Sequence, residues 1–347
     1  SSFNGLEPKL RFPNFIEKWT RFEAENIFKN ITDKNHPTDT VLTIQQGRGT
    51  LPRDLSGRNI LYDNTNTKNY KRVQFGDFII HLRSFEGGLE MANEQGIVSP
   101  AYTILRYIKP IAFGFYKAYF RTNEFINHIL SKSVEGIRDG KQISYDAFKW
   151  LAIPYCQLEE QQKIADFLSL VDQRIEKQRQ LVESLKKYKR GLLSAIFDKI
   201  SSTSTLTLGE ICNITTGKLD ANAMVVGGKY RFYTCAREYF EIDTYAFDTD
   251  ALLISGNGAN VGYIHHYCGK FNAYQRTYVL DGFQENIMYI YYYLQANLHP
   301  RIEAEKKAGN TPYIVLSTLS DMLIKLPAKE RQNNIAKIFA ILDKKIM

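Results

Sequence analysis

Apolar residues recur with helical spacing through one long stretch that begins at Glu159. No Gly or Pro interrupts this stretch before Gly191, and alternating steps of four and three residues from Ile164 give ten positions, eight of them apolar. Such a repeat is typical of a coiled-coil seam. The seam positions are Ile164, Leu168, Val171, Ile175, Gln178, Val182, Leu185, Lys189, Leu192 and Ile196. We expect the two polar members, Gln178 and Lys189, to set the helix register.

The same helix is written a second time near the end of the chain. Residues 159–175 read EEQQKIADFLSLVDQRI and residues 330–346 read ERQNNIAKIFAILDKKI, which agree at six of seventeen positions without a gap. The second copy continues the seam with Ile335, Phe339, Leu342 and Ile346. A helix over 159–198 would be about 60 Å long and needs a partner. The economical arrangement packs the two repeated helices against each other.

The segments before the two helices mix strand and helix patterns. In the first half, 73–82 and 99–105 are predicted strands and 118–130 a helix. In the second half, strands are predicted at 230–234, 251–255 and 273–280, and a helix at 286–298. Shorter matches upstream of the helices repeat at nearly the same offset, so one domain-sized unit has been duplicated.

The predicted fold is therefore α+β, with two tandem globular domains related by a pseudo-twofold and separated by long helices that form an antiparallel coiled coil. The predicted boundaries are 1–156 for the first domain, 157–200 for the central helix, 201–329 for the second domain and 330–347 for the start of the distal helix. The distal helix reaches only about a turn past Asp343. We expect a truncated copy, whose seam could be completed by self-association.

Composition narrows the class of protein. The 347 residues are 44% apolar and 13% aromatic, which is enough for two ordinary cores. With neither a leader-like start nor an apolar run of membrane-spanning length, we expect a cytoplasmic protein without membrane contact. The four cysteines form no Cys-x-x-Cys pair, which favours reduced packing residues. A net charge of +8 and a pI near 9.0 favour a polyanionic partner.

Catalytic and metal motifs are weak or missing. The glycine-bearing segment 254–262 resembles a dinucleotide fingerprint, but its third Gly falls one position late and no helix pattern follows, so a turn between strands is favoured. His265, His266 and Cys268 have no fourth ligand at suitable spacing, which favours ordinary strand histidines. No phosphate loop, nucleophile elbow or methyltransferase tetrapeptide occurs. We predict no catalytic residues, no metal and no cofactor bound by this chain.

Several segments together resemble one family. They are the Pro-Lys-Leu-Arg-Phe-Pro run at 8–13 with Trp19, the Glu-Gln-x-Lys-Ile-Ala start of the long helix, and its Leu-Lys-Lys-Tyr-Lys-Arg-Gly-Leu-Leu ending at 185–193. They resemble the DNA-specificity subunit of type I restriction-modification systems. Segments 96–102 and 253–276 look like target recognition domains of that family. The resemblance covers essentially the whole chain.

The resemblance implies a partner set and a division of labour. Each recognition domain would read one half of a split duplex DNA target, about one helical turn apart, while the helices set the spacing and dock two modification subunits. Those methyltransferase subunits would carry S-adenosylmethionine, and restriction motor-nuclease subunits would use ATP and Mg. Because the loops at 83–88 and 255–260 differ, the two half-sites should differ as well.

Candidate DNA contacts lie mainly on Gly-bearing loops, since such loops present side chains from a rigid scaffold. Arg and Lys can fork onto guanine, Asn and Gln onto adenine, and a carboxylate can accept from cytosine. In the first domain the candidates are Arg48, Arg53, Arg83, Ser84 and Glu86. In the second they are Lys229, Arg231, Arg237, Asn257, Asn260, Tyr274, Gln275 and Arg276.

Two other functions stay open at this point. A structural coiled-coil adaptor with two protein-binding heads would explain the duplicated helix without DNA. A stand-alone methyltransferase or nuclease is disfavoured by the missing motifs.

Overall fold

The computed structural model describes residues 8, 10–56, 64–134, 142–305 and 313–346. The chain divides into two compact units, Ser1–Glu176 and Lys177–Met347. The division falls inside one long helix, α4 (Leu158–Asp198). The central helix thus contributes to both units, whereas the sequence pattern had set it apart as a segment of its own.

Before α4 begins, the described residues of the first unit form ten short strands and three short α-helices. The strands are β1 (Thr20–Glu23), β2 (Phe28–Ile31), β3 (Leu42–Gln45), β4 (Gly49–Pro52), β5 (Lys71–Val73), β6 (Phe78–Ile80), β7 (Glu90–Met91), β8 (Gly96–Val98), β9 (Thr103–Tyr107) and β10 (Ala152–Tyr155). The helices are α1 (Ser84–Gly87), α2 (Phe113–Tyr119) and α3 (Tyr145–Phe148).

An antiparallel sheet and an aromatic core hold the first unit together. The sheet has the strand order β2-β9-β6-β7, and the pairs β1-β10, β3-β4 and β5-β8 lie outside it. Phe28, Phe78 and Phe120 are fully buried and pack edge to face or tilted, with ring centroids 4.9 to 5.8 Å apart. Such aromatic pairs add to the burial of apolar area, which is the main stabilising contribution.

In the second unit, the part of the chain that the structure describes forms eight strands and four α-helices in addition to the end of α4. The strands are β11 (Ser204–Thr207), β12 (Asn213–Thr216), β13 (Tyr230–Tyr233), β14 (Phe240–Ile242), β15 (Phe247–Ser255), β16 (Ile264–Ala273), β17 (Thr277–Asp281) and β18 (Leu323–Leu326). The helices are α5 (Leu208–Ile211), α6 (Ile287–Glu305), α7 (Leu316–Ser320) and α8 (Lys329–Ile346).

A six-stranded sheet and three helices build the second core. The sheet order is β12-β17-β15-β16-β13-β14, antiparallel except where β13 runs parallel to β16. Buried tyrosines of α6 pack on one side of this sheet, together with Phe197 from α4 and Phe339 from α8. The C-terminal end of α4 and the helix α8 are therefore part of the core of this unit.

Matching contacts at the base of the two units confirm the duplication at the level of atoms. Gln161 is buried at the start of α4; its amide donates to the Cys156 carbonyl (2.8 Å), and its carbonyl accepts the Ala112 N–H (3.1 Å). Gln332 is buried at the start of α8 and repeats the pattern with the Pro327 carbonyl (3.0 Å) and the Asn286 N–H (3.3 Å).

A tyrosine and a strand pair complete this shared base. The Tyr116 hydroxyl donates to the Pro154 carbonyl (2.9 Å), and the Tyr289 hydroxyl donates to the Lys325 carbonyl (2.5 Å). Strand β10 pairs antiparallel with β1, as β18 does with β11. We call this set of Gln, Tyr and strand-pair contacts the base motif. It positions the helix that closes each unit.

Within the second unit, α4 and α8 run antiparallel. The Phe197 and Phe339 rings stack at 6.3 Å, and Lys189 Nζ lies 2.6 Å from Asp343 Oδ1. The predicted polar seam residue Lys189 therefore pairs across the two helices. Among the described residues, no helix has both the length and the apolar content needed to cross a bilayer.

Burial along the predicted seam is uneven. Ile335 and Phe339 are buried, and Ile164, Leu168, Val182, Leu185, Leu192, Ile196, Leu342 and Ile346 are half-buried. Val171 and Ile175 are 40% and 45% exposed. The fully buried residues of α4 include Leu193 and Phe197, each one position beyond a predicted seam residue. The α6 tyrosines widen the contact face, because they bury a broader stripe than a two-helix seam would.

Three predicted elements were wrong in extent. The predicted helix 118–130 is broken after Tyr119, because the Thr122 hydroxyl donates to the Tyr119 carbonyl and accepts the Phe125 N–H. The predicted strand 73–82 is interrupted by a turn at Gly76, whose φ is +88°. The predicted strand 273–280 is two strands with a tight turn over 274–276.

Candidate nucleic-acid interface

A tight turn between β3 and β4 carries Arg48 in the first unit. Gly47 and Gly49 both have a φ of +84°, and the Arg48 N–H donates to the Gln45 carbonyl (2.9 Å). Glycine adopts this left-handed conformation without steric cost, which explains the Gly-Arg-Gly sequence. The turn holds the Arg48 side chain in solvent.

The carboxylate of Glu90 anchors this turn from below. Glu90 is fully buried and accepts the N–H groups of Gly47 (2.7 Å) and Gly49 (2.9 Å). Arg121 donates to the same carboxylate at 2.5 Å. The Asn93 amide donates to the carbonyl of Arg48 at 2.7 Å. Both partners of the turn lie more than 40 residues away in the sequence, so no local pattern signals them.

A polar cleft of about 540 Å³ lies beside the turn. It is lined by Thr43, Ile44, Gln45, Gln46, Leu51, Ser56, His81, Leu82, Arg83 and Tyr102. The Gln46 side chain packs on α1, because a Cβ added at Gly87 would lie 1.9 Å from Gln46 Nε2. The cleft is therefore lined by side chains that carry hydrogen-bond donors and acceptors, and the packing of Gln46 on α1 fixes one of its walls.

Burial keeps two ring side chains of the cleft uncharged near neutral pH. It lowers the pKa of His81 from its ordinary 6.5, and it raises the pKa of Tyr102. His81 Nδ1 accepts the Arg83 N–H (3.3 Å). Arg83 thus supplies positive charge in a lining that is otherwise neutral.

The structure separates the five predicted contacts of the first unit. Arg48 and Arg83 are exposed at the turn and the cleft, and Glu86 is exposed on α1. Arg53 follows β4 and is half-buried. The expectation for Ser84 has to be corrected. Ser84 is fully buried at the start of α1, and its Oγ accepts the His81 N–H (2.9 Å). Ser84 therefore does not belong to the exposed interface.

Three loops of the second unit are tied together at one end of its sheet. The Asn260 amide donates to the Cys235 carbonyl (3.1 Å), and Arg237 Nε donates to Asn260 Oδ1 (3.2 Å). The Gly256 N–H donates to the Arg276 carbonyl (2.9 Å). These bonds join the loops at 234–237, 256–263 and 274–276.

Most predicted contacts of the second unit lie on these loops. Arg237, Gln275 and Arg276 are exposed, while Asn257, Asn260 and Tyr274 are half-buried. The Gln275 amide donates to Asp220 Oδ1 (3.0 Å), which fixes the turn at 274–276 from the side. The turn was hidden in the sequence because 273–280 reads as one continuous strand.

Arg231 and Lys229 lie elsewhere, at the start of β13. The Arg231 guanidinium lies 4.3 Å from the Tyr239 ring centroid and 4.5 Å from that of Tyr267. Its hydrogen bond to the Tyr233 hydroxyl raises the pKa of Arg231. Stacking between two rings is a stable position for an arginine. Arg231 is therefore held against its own unit, whereas Lys229 is exposed.

The segments that invited a cofactor or metal have ordinary strand geometry. Segment 254–262 covers the end of β15 and most of the turn at 256–263 that leads to β16. His265 Nε2 lies 3.0 Å from the Ala236 carbonyl, and His266 Nε2 lies 2.8 Å from Asp250 Oδ1. Within the described ranges, no three His, Cys, Asp or Glu side chains are arranged to hold a metal ion.

Each unit thus presents Arg with Asn or Gln on short loops that the fold supports from beneath. Such side chains can fork onto guanine or adenine edges in the major groove. Loops held by buried hydrogen bonds need little ordering when a ligand binds. The two surfaces are therefore suited chemically to base recognition.

Comparisons with known proteins agree with this geometry. The type I restriction modification DNA specificity domain matches residues 22–187 and again residues 201–347. The specificity subunit of the type I restriction enzyme EcoDI of Escherichia coli is 41% identical over 133 residues, which are 38% of this chain and 29% of that protein. A type I specificity subunit of Mycoplasma genitalium is 23% identical over 98% of this chain and 91% of its own length.

A solved structure shares the fold along nearly the whole chain. The crystal structure of a type I S subunit from M. genitalium superimposes with a TM-score of 0.60 at 19% identity, covering 98% of this chain and 92% of that one. The family domain matches twice, once on each α+β segment, as the duplication requires. The chain therefore belongs to the type I restriction-modification DNA specificity family.

Proposed function

We propose that each unit reads one half of an asymmetric, bipartite duplex target. The observation that carries this proposal is a common base motif beneath different loops. Gln161 and Gln332 share two equivalent main-chain contacts, whereas Arg48 lies on a Glu90-anchored hairpin and Arg276 on a turn bonded to Gly256. The shared base motif favours the same docking geometry for both units. Different loops on that support favour the recognition of different DNA bases.

The helices have a separate role in this proposal. They space the two units and dock methyltransferase subunits, which bind S-adenosylmethionine and methylate adenine, while restriction subunits use ATP and Mg. The apolar side chains of Phe167, Leu170 and Leu181 support docking, since each is more than half exposed on α4. No catalytic step is assigned to this chain.

The test is sequence-resolved methylation in cells that carry the chain and its modification subunit. The wild type should direct methylation to a single bipartite motif. Arg276→Ala should relax the half read by the second unit, and Arg48→Ala the half read by the first, each by about tenfold. The other half should keep its full specificity in each variant.

Arg190→Ala is the matched control, because it removes one exposed positive charge from α4 and leaves both loop sets intact. It should lower neither half-site preference. Equal relaxation of both halves by Arg276→Ala would contradict the assignment of one half-site to each unit.

The exposed apolar residues of α4 also favour the alternative of a structural adaptor. An adaptor should show no salt-dependent affinity for duplex DNA. A DNA reader should lose affinity steeply as salt rises, because phosphate contacts release condensed counterions. A titration of duplex DNA with the full chain by itself, at two ionic strengths, separates the two functions.

A further inference from the structure

The feature that sets the first unit apart is the buried ionic anchor beneath its β3–β4 turn. Glu90 is 0% exposed, and its two carboxylate oxygens accept from two main-chain N–H groups and one guanidinium. The two N–H groups belong to Gly47 and Gly49, the neighbours of Arg48. One carboxylate oxygen therefore accepts from the residue before Arg48 and the other from the residue after it.

A carboxylate is the only side chain that satisfies all three donors at this position. An amide has a single acceptor oxygen, and its NH₂ group would face a second main-chain N–H. The charge of Glu90 is compensated by Arg121, as burial of a carboxylate requires. Glu90→Gln thus preserves size and shape but leaves one N–H of the turn without an acceptor.

The surroundings leave the turn little freedom to relax. A Cβ added at Gly49 would lie 2.5 Å from the Met91 carbonyl, so the hairpin approaches β7 closely. The Asn93 amide holds the carbonyl groups of Arg48 (2.7 Å) and Thr50 (2.8 Å) from the other side. Gln46, the residue before Gly47, packs on Gly87 and lines the cleft.

We propose that Glu90 is a positioning residue that sets the base preference of the first unit. It acts through the orientation of the turn that presents Gln45, Gln46 and Arg48 to DNA. Glu90 touches no DNA itself, because it is buried beneath the hairpin. This inference rests on the proposed function and adds a specificity determinant to it.

The experiment uses the full chain assembled with its modification subunit and a randomised duplex DNA library as the probe. Selected sequences give the preference at every position of both half-sites. With Glu90→Gln we expect the first half-site to become degenerate, with roughly tenfold or greater loss of preference. The second half-site should stay as in the wild type.

Two further variants distinguish positioning from a general loss of structure. Asn93→Ala removes the side-chain hydrogen bonds that Asn93 donates to the turn. Because Asn93 is exposed, the variant should fold, and it should reduce the base preference at the first half-site less than Glu90→Gln does. At the DNA positions that Arg48 reads, the double variant Glu90→Gln with Arg48→Ala should lose little more base preference than Arg48→Ala alone. Both substitutions act there through the same contact.

Asp77→Asn is the matched control within the same unit. Asp77 is 1% exposed, accepts the Gln74 N–H (2.8 Å) and binds Arg106 through both oxygens (2.8 and 2.6 Å), so its loss resembles that of Glu90 in burial and charge. It anchors a different turn. It should lower thermal stability to a similar extent and leave both half-sites unchanged.

Three outcomes would overturn the inference. The first is an unchanged first half-site in Glu90→Gln, and the second is equal loss in Glu90→Gln and Asp77→Asn. The third is a wild type that selects no bipartite motif, which would remove the proposed function as well. The first two leave the proposed function standing, so the two failures are distinguishable.

Discussion

The two copies of the repeated helix begin alike and then differ in what surrounds them. Ala165 and Ala336 occupy matching positions and are both buried. One turn later, Leu168 is half-buried whereas its counterpart Phe339 is fully buried. Similar sequence patterns therefore lead to the same burial at Gln161 and Gln332 and at Ala165 and Ala336, but not along the whole repeat.

The same divergence affects a charged pair further along. Asp343 lies 2.6 Å from Lys189 Nζ and accepts the Tyr292 hydroxyl (2.8 Å). Its counterpart in the first copy, Asp172, is exposed. The comparison shows that the base motif is a property of each unit by itself. Burial beyond it depends on neighbouring side chains, which α4 and α6 supply to α8.

The largest expected effect comes from truncating the buried ring of α8. Phe339→Ala should lower the free energy of unfolding by about 3–5 kcal/mol, because it removes a fully buried aromatic from contacts with Phe197 and Tyr292. Leu168→Ala, its matched partner, should cost about half as much or less, since its side chain is already partly exposed. Urea unfolding followed by circular dichroism measures both. Equal losses would contradict the difference in burial.

A smaller effect should be common to both units. Gln161→Leu and Gln332→Leu should each cost about 1–3 kcal/mol, because each leaves a buried or half-buried N–H and a buried carbonyl without a partner. The exposed neighbour Gln162→Leu is the control and should change stability little. If only one of the two buried variants were destabilised, the base motif would not be equivalent in the two units.

The smallest effect concerns pH and involves one histidine in each unit. Burial lowers the pKa of His81 and of His265 below the ordinary 6.5. The unfolded chain then binds more protons than the folded chain as the pH falls through 6.5, so stability is full above that pH and declines below it. Gln replacing either histidine should flatten the decline of Tm between pH 7 and 5 by at most a few degrees.

The exposed His299 gives the control for this prediction. His299→Gln should leave the pH dependence of Tm as it is in the wild type. A decline that persists unchanged in both His81→Gln and His265→Gln would show that other groups control it.

Several loops of the candidate interface could be located from the sequence. Which of their polar side chains are exposed could not be predicted from it. Arg48 and Asn260 lie on Gly-bearing loops, as the sequence pattern indicated, whereas Arg276 lies on a turn without Gly. Ser84 has the same local signal, yet it is buried at the start of α1, where its Oγ accepts the His81 N–H. Arg231 also matched the pattern, and two tyrosine rings hold it against its own unit. Exposure of a polar side chain is set by the neighbours that packing brings to it.

The local sequence pattern is sufficient to predict the duplication, the long helix and Gly-bearing loops such as the one at Arg48. These features follow from contacts between residues close in sequence, such as the 3.6-residue period of a helix and the φ values that glycine permits. Such signals are complete within a short window of the chain.

The side chains that anchor each loop become visible only in the folded structure. Glu90 meets Gly47 across 43 residues, and Gln332 meets Asn286 across 46. No periodicity relates residues so far apart, because their contact depends on how strands and helices pack and not on local backbone preference. The anchored turn of the first unit and the burial of Phe339 on α8 are both consequences of that packing.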